Sequence, residues 1–210
     1  MTEILIYGDI GENFFGDGIT AKSVKAQLDA ADGDVSVRLN SPGGDVFEGF
    51  AIYNLLDQHS GNVEITVDGM AASAASVVMM AGSNITMSAN SLAMIHDPWT
   101  LSVGGSDDMR ATADLLDKVK ASIVTTYMTR TSLPESTVVD MMRAETWFNA
   151  EEAIAHGFAH DIAESSQAAA YNTAKPWIKN APTAEKLPED IETQTAYRVA
   201  MCRRRLAIEE

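Results

Sequence analysis

Hydrophobic and polar positions alternate with a period of two in two places, at Val35, Val37 and Leu39 around Ser36 and Arg38, and at Val63, Ile65 and Val67. That period puts apolar side chains on one face of an extended chain, so both segments are predicted strands. Ile4-Leu5-Ile6-Tyr7, closed by Gly8-Asp9, is a short apolar run of the kind a buried strand presents, and Ile85-Thr86-Met87 and Leu92 to His96 are two more candidates. Between them the spacing turns helical. Ile19 to Ala31 carries Val24, Ala26 and Leu28 among polar residues and ends before Gly33, and Phe47, Ala51 and Leu55 stand at i, i+4, i+8. One helix face satisfies each set. Ser106 to Thr131 predicts a long helix with Met109, Ala113, Leu116, Ile123 and Tyr127 broadly on one side, and Pro134 to Arg143 a short one. Asn149 with Glu152 three residues on is a capping pair opening a helix from Ala150 to His156, which Gly157 ends. Strands and helices alternating in this order imply an α/β architecture with largely parallel strands.

The texture changes near residue 165. Ser165 to Thr183 is rich in Ala, Ser, Asn and Pro, and a last helical segment, Glu189 to Ile208, ends near the basic run Arg203-Arg204-Arg205. The expected organisation is therefore a domain over residues 1–164, a linker over 165–188 and a helical tail over 189–210. With 46% apolar residues the chain can bury a sizeable core. A formal charge of −15 argues against nucleic acid as a partner, because phosphates are bound by lysines and arginines. The single cysteine, Cys202, excludes an internal disulfide and a cysteine-built zinc site. The opening residues lack the basic start and apolar run of a signal peptide, and the longest mostly apolar stretch, Met70 to Gly82, is too short to cross a bilayer. The expectation is a cytoplasmic protein with no membrane partner.

Acyl transfer by a serine needs an exposed hydroxyl, a base within reach, a group that orients the base, and N–H donors for the oxyanion. Gly69-Met70-Ala71-Ala72-Ser73-Ala74-Ala75-Ser76 follows a strand and opens a helix, which presents Ser73 at the positive end of the helix dipole. Ser41-Pro42-Gly43-Gly44 precedes another helix, and its glycines allow positive φ and close approach of the backbone. From these segments the N–H groups of Gly44 and Ala74 are the candidate oxyanion donors. His96 closes an apolar strand, at the end where ligands collect in α/β sheets. Taken singly, each segment has a plainer reading: a tightly packed helix, a strand-to-helix turn, a structural histidine.

As an ordered set they resemble the Clp protease proteolytic subunit family. Gly69 to Gly82 is similar to that family's nucleophile segment, Met94-Ile95-His96-Asp97-Pro98 to its histidine segment and Asn40-Ser41-Pro42-Gly43-Gly44 to its oxyanion turn. Gly104-Gly105-Ser106 resembles the entry to its handle helix, and Ala150 through Gly157 its closing helix; order and spacing agree from about Ile4 to Ile162. The resemblance implies the Clp/crotonase superhelix of repeated β-β-α units with a projecting handle helix. It implies a serine endopeptidase with Ser73 as nucleophile and His96 as base, working without metal or organic cofactor on protein or peptide substrates, as homo-oligomeric, stacked rings of which seven-membered ones are the family pattern.

Alignment of the closing segment puts Glu145 where the family has aspartate; Asp140 is the main alternative as third triad member. Asp97 is disfavoured because neighbours on a strand point to opposite faces. The chain starts at the first core strand, so docking of an AAA+ unfoldase is not carried over. The short start and the Glu145-Thr146-Trp147 segment resemble the bacteriophage and prophage branch, whose implied task is cleaving capsid or scaffold proteins during head maturation. Two other readings remain: an inactive assembly component of the same fold, and a crotonase-like acyl-CoA enzyme.

Overall fold

The computed structural model describes residues 1–12 and 18–163; the linker expected over 165–188 and the tail helix over 189–210 lie outside them. The chain runs β1 (Thr2–Tyr7), α1 (Ala21–Asp29), β2 (Val35–Ser41), α2 (Val46–Asp57), β3 (Val63–Ala72), α3 (Ala74–Met79), β4 (Asn84–Ser88), β5 (Leu92–Ile95), α4 (Ser106–Met128), α5 (Glu135–Arg143), β6 (Thr146–Asn149), α6 (Ala150–Ala155) and β7 (Asp161–Ala163). This is the mixed α/β architecture expected of the Clp/crotonase superhelix. Strands pair in the order β1-β2-β3-β4-β7, all parallel, with β5 attached to β3 and β6 to β5. Among the described residues only the β5–β6 pairing is antiparallel.

The alternating strands bury what their pattern says they should. Ile4, Ile6, Val37, Leu39, Ile65, Val67, Ile85 and Met87 are essentially excluded from water and form one cluster with Val24, Leu28, Ile52, Leu56 and the whole apolar set of α3. At roughly 1.5–3 kcal/mol for each large side chain removed from water, this face of the sheet is the main source of stability. Thr20 caps α1, its hydroxyl accepting from the N–H of Ser23, and Asp45 caps α2 by accepting from Phe47 and Glu48.

Several local expectations are corrected. Helix α2 buries Gly49, Ile52 and Leu56, not the Phe47, Ala51, Leu55 stripe, and Phe47 is 57% exposed. Its sequence, Val-Phe-Glu-Gly-Phe-Ala-Ile-Tyr-Asn-Leu-Leu-Asp, is apolar nearly all round, so only packing selects the inner face. The strand before Ser73 does not stop at Gly69 but runs on to Ala72, and the helix begins at Ala74. Helix α4 ends at Met128, and its buried residues begin at Val119; Met109 and Ala113, expected inside, are exposed. Its first half therefore projects from the domain without a core partner, and its second half is anchored by Val119, Ile123, Val124 and Tyr127. Strands β6 and β7 were not anticipated, being four and three residues long.

Candidate active site

The site arises where β3 forks. Residues Glu64 to Val67 of β3 pair with β4, whereas Met70 to Ala72 pair with Leu92 to Met94 of β5. Because β3 and β5 are parallel, their carboxyl ends emerge side by side, and the N–H of Ser73 continues the ladder by donating to the Met94 carbonyl at 2.9 Å. Ser73 follows one of those ends and His96 the other. The sheet thus brings together two residues 23 positions apart in the chain, and Ser73 Oγ lies 2.7 Å from His96 Nε2. That is a short hydrogen bond for this pair of atoms.

Ser73 holds φ 56° and ψ −125°, a conformation costly for a residue with a side chain. The turn it makes from strand into helix lifts its hydroxyl off the sheet while keeping it at the amino end of α3. The strain is held by bonds on the far side. Ser76 donates both its N–H, at 2.9 Å, and its Oγ, at 2.6 Å, to the Ser73 carbonyl. Ser76 Oγ in turn meets Tyr127 Oη at 2.8 Å, and burial pushes that phenol well above its usual titration range, so it stays a neutral hydrogen-bonding group.

The Ser41-Pro42-Gly43-Gly44 turn packs against this elbow from the other side. Gly43 has φ +90°, and a Cβ there would stand 2.6 Å from the Ala72 oxygen and 2.8 Å from both Ala74 N and Ser73 Cβ. Gly44, at φ +149°, has no room for a Cβ either, which would fall on the carbonyl of Ile10. The Gly43 carbonyl accepts from Ile10 N–H at 2.9 Å, and Asp45 N–H donates to the Ile10 carbonyl at 2.9 Å. In a planar trans peptide the C=O of one residue and the N–H of the next point in opposite directions. With the Gly43 oxygen turned to Ile10, the Gly44 N–H is turned the other way. Gly44, Ser73, Ala74 and His96 all line one cleft of about 250 Å³, walled by Val77, Leu116, Val119, Ile123 and Tyr127 and edged by Phe47 and Trp99. Ala74, as the first residue of α3, has no carbonyl within its own helix to receive its N–H.

The candidate carboxylates stand differently. Glu145 lies between α5 and β6 with φ 51°, half-buried, and its Oε1 accepts from the Trp147 indole N–H at 3.4 Å. Strand β6 pairs with β5 so that Ile95 faces Thr146 and Met94 faces Trp147. The ladder ends there, and His96 and Glu145 are the next residues beyond its last pair, Glu145 leaving the extended conformation. Asp140 sits on α5, 71% exposed, and is bound by Arg143 one turn on. Asp97 is turned away to Lys120 of α4, whose Nζ lies 2.7 Å from Oδ1 and 2.8 Å from Oδ2. The sequence pattern gave no sign of this ion pair, of Tyr127 behind the elbow, or of Trp147 beside Glu145; each depends on contacts between distant elements.

The Clp protease family model matches residues 2–166. The ATP-dependent Clp protease proteolytic subunit of Porphyromonas gingivalis is 34% identical over 158 residues, spanning 72% of this chain and 71% of its own. The subunit of the same name from Bacteroides fragilis is 33% identical over 153 residues, 70% of this chain and 74% of that one. That of Deinococcus radiodurans is 26% identical over 166 residues, 78% and 81%.

Proposed function

We propose that this chain, which belongs to the Clp protease family and is a serine peptidase, hydrolyses peptide bonds through an acyl-enzyme with Ser73 as nucleophile, His96 as general base and Glu145 as the carboxylate that orients the imidazole. The observation that carries this reading is the 2.7 Å contact between Ser73 Oγ and His96 Nε2. Oγ attacks the scissile carbonyl carbon while Nε2 takes its proton; the N–H groups of Gly44 and Ala74 receive the oxyanion; the imidazolium then protonates the departing amine. Water attacks the Ser73 ester with His96 again as base, and the free acid leaves. Glu145 is preferred to Asp140 because the β5–β6 register leads to it and because Asp140 is solvated and engaged by Arg143. His96 and Glu145 leave the same end of the β5–β6 ladder, which supports an approach of the carboxylate to the imidazole.

A fluorophosphonate probe should label the wild type and fail to label Ser73→Ala. Equal labelling of both removes Ser73 from the mechanism. A crotonase-like acyl-CoA enzyme or an inactive assembly component has no use for a hydroxyl set against an imidazole.

The proposal extends to setting and substrate. The chain acts in the cytoplasm, that of the host if a phage encodes it, as stacked homo-oligomeric rings of seven. Its substrates are the capsid or scaffold proteins of a bacteriophage head, a reading supported by the resemblance of the Glu145-Thr146-Trp147 segment to the phage branch. Among the described residues no helix is long and apolar enough to cross a membrane. Incubation with purified scaffold protein and with an unrelated unfolded protein tests the substrate: site-selective cuts in the scaffold are expected, and indiscriminate digestion of both argues against a head-maturation role. Native mass measurement reads the ring size.

A further inference from the structure

The loop that leaves His96 is tied down at the very next residue. Asp97 donates its N–H to the Met142 carbonyl at the end of α5, at 3.1 Å, and both its carboxylate oxygens meet Lys120 Nζ of α4. Pro98 follows and fixes the chain direction beyond it. An ordinary surface ion pair holds nothing in place, since two solvated side chains gain little by meeting. This pair differs. Lys120 is only 21% exposed, Asp97 37%, and the lysine hydrogen-bonds Oδ2 and lies within ion-pair distance of Oδ1 of a residue whose backbone is itself fixed to a second helix. Lys120 also stands on α4 beside Val119, the first buried residue of that helix, where the projecting half ends and the anchored half begins. The anchored half supplies Val119, Ile123 and Tyr127 to the cleft wall.

We infer that Lys120 is a positioning residue for the general base: its ion pair with Asp97 fixes the segment carrying His96 against α4 and neutralises the carboxylate adjoining the imidazole. The inference rests on the reading of His96 as the base. The charged and titratable groups around His96 are Asp45 from the start of α2 and Tyr127 from α4, which line the same cleft, Glu145 at the turn before β6, and Asp97, the next residue in the chain, whose carboxylate is held by Lys120. Asp97 is closest in the chain, so its net charge matters to the imidazolium. With Lys120 gone, an uncompensated carboxylate adjoins His96 and favours the protonated ring. With Asp97 gone, an uncompensated ammonium disfavours it.

The pH dependence of the fluorophosphonate labelling rate, between about pH 5 and 9, reads this directly, because labelling needs neutral His96. Lys120→Met is expected to move the acid limb upward by roughly half a pH unit, and Asp97→Asn to move it downward by about as much. Both should lower the plateau rate about 5- to 10-fold, since a small misplacement of the base is expensive in rate. Lys120→Arg should restore the limb and most of the plateau. In Asp97→Asn/Lys120→Met the limb should return to the wild-type position while the plateau stays low; if Lys120→Met does not fold, Asp97→Asn carries the test through the downward shift of its limb. A merely structural ion pair would lower the amount of folded protein and leave the limb where it is. Limbs that coincide with wild type in both single variants, or that move in the same direction, overturn the inference while leaving the Ser73–His96 reading intact. A wild type that takes no label removes that reading and this inference with it.

Discussion

Substituting Gly43 by alanine isolates the contact on which the proposed oxyanion turn depends. The new Cβ would stand 2.6 Å from the Ala72 oxygen and 2.8 Å from Ala74 N and from Ser73 Cβ. None of these is the tip of a flexible side chain: two are backbone atoms and the third belongs to Ser73, the proposed nucleophile, whose conformation is already strained. Relief to ordinary contact near ~3.4 Å requires the turn and the elbow to separate by roughly half an ångström or more, on the scale at which close-packed interiors resist change. Gly44 moves with the turn, carrying its N–H away from where the oxyanion forms. Loss of one such donor costs on the order of 10² to 10³ in rate. The positive φ adds about 1–2 kcal/mol of backbone strain for a residue with a Cβ. Gly33→Ala is the control, because Gly33 also has positive φ, +76°, yet a Cβ there meets nothing within 4 Å. The labelling rate of Gly43→Ala should therefore fall at least a hundredfold, with a loss of stability by denaturant titration. Gly33→Ala should lose stability alone and label at the wild-type rate. If Gly43→Ala labels as fast as wild type, the turn is not part of the machinery and the oxyanion assignment to Gly44 fails.

Other expectations follow from the same geometry. Glu145→Gln should cut the labelling rate on the order of a hundredfold or more without unfolding the chain, whereas Asp140→Asn should leave it unchanged; the reverse result transfers the orienting role to Asp140. Tyr127→Phe removes one buried hydrogen bond to Ser76, which keeps its bonds to the Ser73 carbonyl, so about 1 kcal/mol of stability should go with little change in labelling. Asp68, 2% exposed, is bound by Arg38 through two atoms and by the Tyr7 hydroxyl at 2.6 Å. Arg38→Met should cost about 3–5 kcal/mol because it strands a buried carboxylate, while Lys25→Met, which breaks an exposed pair with Asp29, should cost under about 0.5 kcal/mol. Burial, and then the bond to Asp68, push the Tyr7 phenol up to about 12. The neutral phenol is thus favoured by folding, and its contribution is complete below the ordinary value near 10 and fades as pH rises toward 12. Thermal melts across that window should show Tyr7→Phe losing less stability with pH than wild type; parallel curves would count against the coupling.

The strands were legible because alternation is a local property: Val35-Val37-Leu39 and Val63-Ile65-Val67 can present one apolar face only as extended chain, and both do. The capping pair Asn149–Glu152 was equally local, and it forms. Where the local signal was degenerate the sequence was silent. Helix α2 is apolar on most sides, so its inner stripe was set by the sheet and by α3, and the first half of α4 has an apolar spacing that meets no core at all. Ser73 and His96 were legible as residue types at strand ends. Their 2.7 Å contact was not, because it depends on β3 changing partner from β4 to β5 at Asp68–Gly69, a long-range choice made by pairing energies between segments far apart in the chain. The same is true of Glu145, which reaches the neighbourhood of His96 only through the antiparallel register of a four-residue strand, and of Lys120, which meets Asp97 only when α4 lies down on the end of the sheet. Residue chemistry and periodicity are written along the chain, whereas distances between residues remote in sequence exist only once the sheet has chosen its order.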